Sequence, residues 1–270
     1  MTYPKTAIIS DLHGNMPALE VALADARERG AQRIVCCGDT VGYGAQPREA
    51  LDVVMTHCVR GAHWADGTKL EDGLCLQGNH EDALLHSAAD FNPKARAAIE
   101  WTHREITAGG GRERGYDYWD FIAELEPSHS DAVAMFAHGS PRDPVREYLL
   151  PRDTASPSKM AANFAAMNRE VCFVGHSHVP AIYNQDGSFF QPRDSAGPYD
   201  LGLGPTSRVI VNVGSVGQPR DRDPRLSYVI FDGTTVEFVR LDYDHEAAAE
   251  RIRATGELPV YLADRLASGS

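Results

Sequence analysis

The chain lacks a basic amino-terminal segment leading into a long apolar run, and nowhere do about 18 apolar residues follow one another without a charge. A cytoplasmic protein with no membrane partner is expected. The five cysteines (Cys36, Cys37, Cys58, Cys75 and Cys172) are odd in number, contain no Cys-x-x-Cys pair and have no disulfide-like spacing. This pattern excludes a sulfur metal site and predicts buried free thiols in a reducing compartment. A Lys/Arg run is missing too, and the net charge is -12. Long nucleic acid is therefore not an expected partner, because neutralising many phosphates needs a basic face. Internal repeats and low-complexity segments are also absent.

What is present suits one α/β domain over residues 1–270, with 43% hydrophobic residues to fill its core. TAIIS predicts a first strand and RIVCC a second, with an amphipathic helix between them carrying Leu19, Ala22, Leu23 and Ala26 and opened by Pro17. A second helix is predicted from Gln46 to His57, and GLCLQ at 73–77 is a third strand. The alternation argues for parallel βαβ units. Residues 93–124 read as two helices broken by the glycines at 109–111. AVAMF and VCFV follow as strands. The last third is β-rich (AIYN, SFFQ, RVIVNV, LSYVIF, TVEFVRL), with hairpin turns at Asp186-Gly187 and Asp232-Gly233 and a helical tail at 245–253. Residues 192–205, rich in Gly and Pro, are expected to be a loop rimming a pocket. The VIVNV and YVIF strands leave room for an exposed edge that pairs between subunits.

Polar residues cluster at the ends of the predicted strands, in the segments SDLHGN, GDTVGYG, GNHED, FAHGSPRDP and VGHSHVP. Loops at the carboxyl ends of parallel strands converge at one sheet edge. Asp11, His13, Asp39, Asn79, His80, His138, His176 and His178 can therefore meet despite their separation in sequence. A glycine stands beside a candidate ligand in every segment, at positions 14, 38, 78, 139 and 175, where a sharp turn and close approach need no Cβ. Imidazole, carboxylate and one amide suit Zn, Mn, Fe or Co, with Mn or Fe the first expectation. Seven ligands exceed one tetrahedral ion and suit two divalent ions sharing a carboxylate. Two such ions and two aspartates leave the site about +2, which suits a phosphate ester.

In order and spacing these segments resemble the calcineurin-like metallophosphoesterase superfamily, whose motifs run D-x-H, G-D, G-N-H-[DE], H and G-H-x-H. They stand here as DLH, GD, GNHE, the histidine of AHG, and GHSH. VNVGSVGQPRDRDPRLSY is similar to the carboxyl half of its small bacterial phosphodiesterase-like members. The resemblance implies a four-layer α/β/β/α sandwich with a di-metal site at one edge. It assigns Asp11, His13 and His178 to one ion, Asn79, His138 and His176 to the other, and Asp39 to both. It further implies a metal-bridging hydroxide as nucleophile and His80, as imidazolium, protonating the leaving group.

The implied activity is that of a phosphodiesterase acting on a small or nucleotide-like ester. A phosphomonoesterase, a dinucleoside polyphosphate hydrolase and a metal-binding scaffold without catalysis are the alternatives. The chain departs from the protein-phosphatase branch, which has G-D-x-x-D-R-G where this sequence has GDTVGYG. An orienting aspartate for His80 and a phosphate-gripping arginine are thus missing. Arg142, Arg146 and Arg220, each near a glycine-containing loop, are candidates for phosphate contact. His57, His63, His86, His103, His129 and His245 are expected to be surface or structural, and Trp64 either lines the pocket or packs in a loop.

Overall fold

The computed structural model describes residues 2–109, 117–204 and 207–270. Its first sheet begins with β1 (Thr6–Ile9), β2 (Arg33–Cys36) and β3 (Leu74–Cys75), all parallel. Helix α1 (Met16–Glu28) crosses from β1 to β2 and α2 (Pro47–His57) from β2 toward β3. Both helices carry Pro in the opening turn, where a missing N–H costs nothing. Helices α3 (Asn79–Leu85), α4 (Pro93–Gly109) and α5 (Tyr118–Glu124) lead to the second sheet. Two helices thus stand where they are predicted, and Gly110 and Gly111 of the intervening break lie outside the described residues.

The second sheet contains β4 (Ser128–Ser130), β5 (Ala134–Ala137), β6 (Val171–Val174), β7 (Ala181–Asn184), β8 (Phe189–Phe190) and β10 (Val209–Asn212), with α6 (Pro157–Ala166) between β5 and β6. Its order is β4-β5-β6-β10-β7-β8. The chain returns to the first sheet through β9 (Ala196–Asp200), β11 (Leu226–Phe231) and β12 (Thr235–Leu241), giving β3-β2-β1-β11-β12-β9. Helices α7 (His245–Ala254) and α8 (Tyr261–Asp264) close the chain.

Alternation along the strands builds four layers. Ile8, Val35, Val229 and Phe231 of one sheet meet Phe136, Phe173, Val209 and Val211 of the other in a core between the sheets. Their neighbours Ala7, Ile9, Ile34 and Cys36 face outward onto Leu19 and Ala22 of α1 and Leu51 and Val54 of α2. Cys172, Val174 and Ile210 pack outward onto Phe164 of α6. Helices, sheet, sheet and helix therefore stack as α/β/β/α. Strands covered on both faces read as unbroken apolar runs, and β1, β2, β5, β6, β10 and β11 are buried throughout.

Two expectations need correction. VIVNV and YVIF are not edges: β10 lies between β6 and β7, and β11 between β1 and β12. The segment 192–205 is not simply a loop, because residues 196–200 pair with β12 as the outer strand β9; Pro205 lies outside the described residues. All five cysteines are buried and free, as predicted. No helix among the described residues is long and apolar enough to cross a membrane.

Candidate metal centre

The carboxyl ends of β1, β2 and β3 in one sheet and of β5 and β6 in the other open onto a common seam. The loops are stitched together by backbone bonds from Asp11 N–H to Gly38 O, His13 N–H to Asp39 O and Gly175 N–H to His138 O. The Asp11 carboxylate accepts from the His176 N–H across the two sheets. Gly175 makes that contact feasible, since a Cβ there would meet Asp11 Oδ2 at 2.5 Å.

Two clusters result, and His13, Asp39 and His80 form a third group that overlaps both. Asp11, His13 and His178 form one, with His178 Nε2 3.1 Å from Asp11 Oδ1 and 3.3 Å from His13 Nε2. Asp39, His138 and His176 form the other, with His138 Nε2 3.4 Å from Asp39 Oδ2 and 3.0 Å from His176 Nδ1. Asn79 Oδ1 joins the second cluster 3.1 Å from His138 Nε2. Asp39 Oδ2 lies 3.8 Å from His13 Nε2 and so borders both. The two histidines of GHSH fall into different clusters. All these side chains are buried except the half-buried Asn79.

The donor chemistry fits divalent metal. His13 Nδ1 bonds Val41 O, His138 Nδ1 bonds Cys37 O, His178 Nδ1 bonds Gln218 O and His176 Nε2 bonds Arg146 O. Each imidazole thus donates one N–H to a carbonyl and turns the other nitrogen inward, the arrangement that fixes tautomer and orientation in metal-ligating histidines. Burial pushes the pKa of His13, His176 and His178 down, aided by His80 for His13, His138 for His176 and Arg220 for His178. Neutral imidazoles are the form that binds metal. His138 differs: burial opposes its charge, but the Asp39 carboxylate outweighs burial and lifts it to about 9.

The ligand loops are also strained. Seven non-glycine residues among those described have positive φ, and five of them are Asp11, His13, Asp39, His176 and His178. Each left-handed residue costs about 1–3 kcal/mol, a strain that concentrates at functional sites. Glycine-rich spelling marked the loops, but the unusual conformation belongs to the ligands themselves.

His80 is buried above the centre, its Nε2 3.9 Å from Asp39 Oδ2. Packing takes the place of an orienting carboxylate. Tyr43 and Phe91 contact the ring edge-on at 4.4 and 5.5 Å, and Gly42 lies so close that a Cβ would meet Nδ1 at 2.0 Å. Nδ1 is buried without a hydrogen-bond partner. Nε2 is the nitrogen that faces the centre. Burial pushes the His80 pKa down to about 4, opposed by Asp39 and reinforced by Arg220. The imidazolium expected from the resemblance thus meets an environment that favours the neutral ring.

Of the three candidate arginines, two face away into ion pairs. Arg142 is held by Glu147, and Arg146 by Asp82 with Asp90 nearby. Arg220 stays at the centre, its N–H on His178 O and its guanidinium 5.7 Å from the centre of the Tyr43 ring. Trp64 packs in the core beneath Arg27. None of the six other histidines joins a cluster.

Two residues escaped the sequence reading. Glu81 is fully buried and its carboxylate accepts the N–H groups of Gly78, Asp39 and Val41, tying two ligand loops together. Its place in GNHE was the available signal. Tyr148 stacks flat on His176, centroids 3.6 Å apart, with 43% exposure, and nothing local in the sequence marks it.

Residues 5–235 match the calcineurin-like phosphoesterase superfamily domain. An uncharacterized protein of Methanocaldococcus jannaschii is 32% identical over 97% of both chains. The crystal structure of a metallophosphoesterase from Sphaerobacter thermophilus superposes with a TM-score of 0.79 at 34% identity, covering 99% of this chain and all of its own. A hypothetical protein from Pyrococcus horikoshii shares the fold, with a TM-score of 0.73 at 18% identity over 98% of each chain.

Proposed function

This chain belongs to the calcineurin-like phosphoesterase superfamily and is a phosphoric ester hydrolase; from that premise we propose that it is a phosphodiesterase that uses two divalent metal ions, manganese or iron, on a small or nucleotide-like ester in the cytoplasm. The observation that carries the reading is the pair of buried clusters meeting at Asp39. Asp11, His13 and His178 would hold one ion, Asn79, His138 and His176 the other, and Asp39 both. Divalent ions bound by these residues would supply Lewis acidity toward a phosphoryl group and lower the pKa of a water at the site.

The protein groups do the rest. Four backbone carbonyls fix the imidazoles, so little reorganisation is needed when charge develops. His80, held neutral by burial, faces the centre through Nε2 and in the tautomer protonated there would donate a hydrogen bond to a phosphoryl or leaving-group oxygen. We read the site as one for a diester because Arg142 and Arg146 are taken up by carboxylates, which leaves Arg220 as the one candidate arginine at the centre. The net charge of -12 argues against long nucleic acid.

The test is hydrolysis of bis-p-nitrophenyl phosphate beside p-nitrophenyl phosphate by metal-stripped protein, with and without Mn²⁺, and by Asn79→Ala. Mn²⁺-dependent cleavage of the diester, lost in the variant, is expected. Preference for the monoester would replace the reading with a phosphatase. No cleavage of either with about two metals bound would point to a scaffold.

A further inference from the structure

Three aromatic residues touch the histidines of the metal centre: Tyr43 against His13 and His80, Phe91 against His80, and Tyr148 against His176. Tyr43 and Phe91 are half-buried, and Tyr43 also lies under the Arg220 guanidinium. Of the three, only Tyr148 is exposed, at 43%. Its ring lies 20° from parallel to the His176 ring with centroids 3.6 Å apart, so His176 covers one face. Among the described residues no other aromatic ring contacts it.

The backbone that carries Tyr148 is tethered residue by residue. Arg146 O accepts from His176 Nε2 at 3.1 Å, and the Glu147 carboxylate accepts from Ser140 Oγ, Asn163 Nδ2 and Arg142 Nε. Tyr148 O accepts from Lys159 Nζ at 2.7 Å. Leu149 is fully buried, and its carbonyl accepts from the Tyr183 hydroxyl. Four consecutive fixed residues thus hold a large ring flat beside a candidate metal ligand while leaving much of it in water. Shielding His176 would use one face only. The second face is a preorganised aromatic plane, which can receive a planar group at little cost in ordering.

We propose that Tyr148 is a stacking platform for a nucleobase, so that the ester acted on at the metal centre is a nucleotide. The inference rests on the phosphoesterase reading above and narrows its substrate class. A base on the outer face of Tyr148 lies one ring beyond His176, a gap that a pentose bridges to a phosphate at the centre. Every base has a π-face, so such a platform selects nucleotides over other esters without reading base identity.

Adenosine 5′-phosphate and ribose 5-phosphate share a sugar phosphate and differ by the base, and calorimetry with Mn²⁺-loaded protein compares them without a chromogenic ring. The nucleotide should bind about tenfold more tightly. Tyr148→Ala and Tyr148→Leu should each remove most of that difference, and Tyr148→Phe should keep it. A tyrosine that only shields His176 would instead, on replacement, weaken both ligands alike or lower the metal content. As competitors of bis-p-nitrophenyl phosphate cleavage, the two compounds should show the same ratio of inhibition constants. Melting curves and metal content separate lost contacts from lost fold, and the wild-type comparison stands without any variant. Equal affinities, binding of neither compound, or a preference that survives in Tyr148→Ala would overturn the platform while leaving the phosphoesterase reading intact. If no diester is cleaved, that reading fails, and the calorimetric difference still decides the platform.

Discussion

His138 Nε2 lies 3.4 Å from Asp39 Oδ2, an imidazole from the second sheet against a carboxylate from the first. The contact closes the seam between the sheets and sets the protonation of the metal-free site. Burial alone would strip the proton from His138, but Asp39 keeps it on up to about pH 9.

Metal must therefore displace that proton. Titrating metal-free protein with Mn²⁺ at pH 7.5, in buffers of different ionisation enthalpy, should show about one proton released as the second cluster fills. Without metal, the His138 pKa is raised above its unfolded value of about 6.5. Its contribution to stability is fully present below that pH and is lost as pH rises through about 9. Thermal unfolding of the metal-free protein across pH 6–10 should show the fall, and added Mn²⁺ should remove it. Buffer-independent heats would contradict the ion pair.

Glu81 should matter for metal affinity without touching metal. Glu81→Gln turns an amide NH₂ toward at least one of three N–H donors, leaving a buried donor unpaired at a cost of about 1–3 kcal/mol. The loops bearing Asp39 and Asn79 lose their common tie. A lower melting temperature and about 10–100-fold weaker Mn²⁺ binding are expected, read by calorimetry. Unchanged affinity would show that the loops hold themselves.

Gly42 tests what orients His80. In Gly42→Ala the new Cβ meets the imidazole, and φ of 86° adds strain of about 1–2 kcal/mol. Metal content should stay at the wild-type level while kcat falls about 10²-fold, similar to His80→Ala, with the larger loss on poor leaving groups. A fall in metal content instead of kcat would place Gly42 in support of the ligands.

The fold was legible because local pattern and chemistry agreed, and the same polar turns supplied the seven candidate ligands that the fold brings to one seam. Unbroken apolar runs such as TAII and VCFV are what strands covered on both faces require, and each ended in a polar, glycine-bearing turn. The same logic places VIVN and LSYVIF inside their sheets, against the expectation of an edge. β9 was illegible because AGPYD has weak strand preference and becomes a strand through pairing with β12. Arg142 resembled a phosphate contact because sequence shows its charge but not the Glu147 carboxylate that holds it. Tyr148 reaches the site only through tertiary packing.

The central claim is a pair of ions bridged by Asp39, and electron paramagnetic resonance of the Mn²⁺-loaded protein addresses it most directly. Two Mn²⁺ per chain giving an exchange-coupled spectrum, as ions about 3.5–4 Å apart produce, is the expected result, with the coupling lost in Asp39→Ala. One ion per chain, or two that are magnetically independent, would contradict the account.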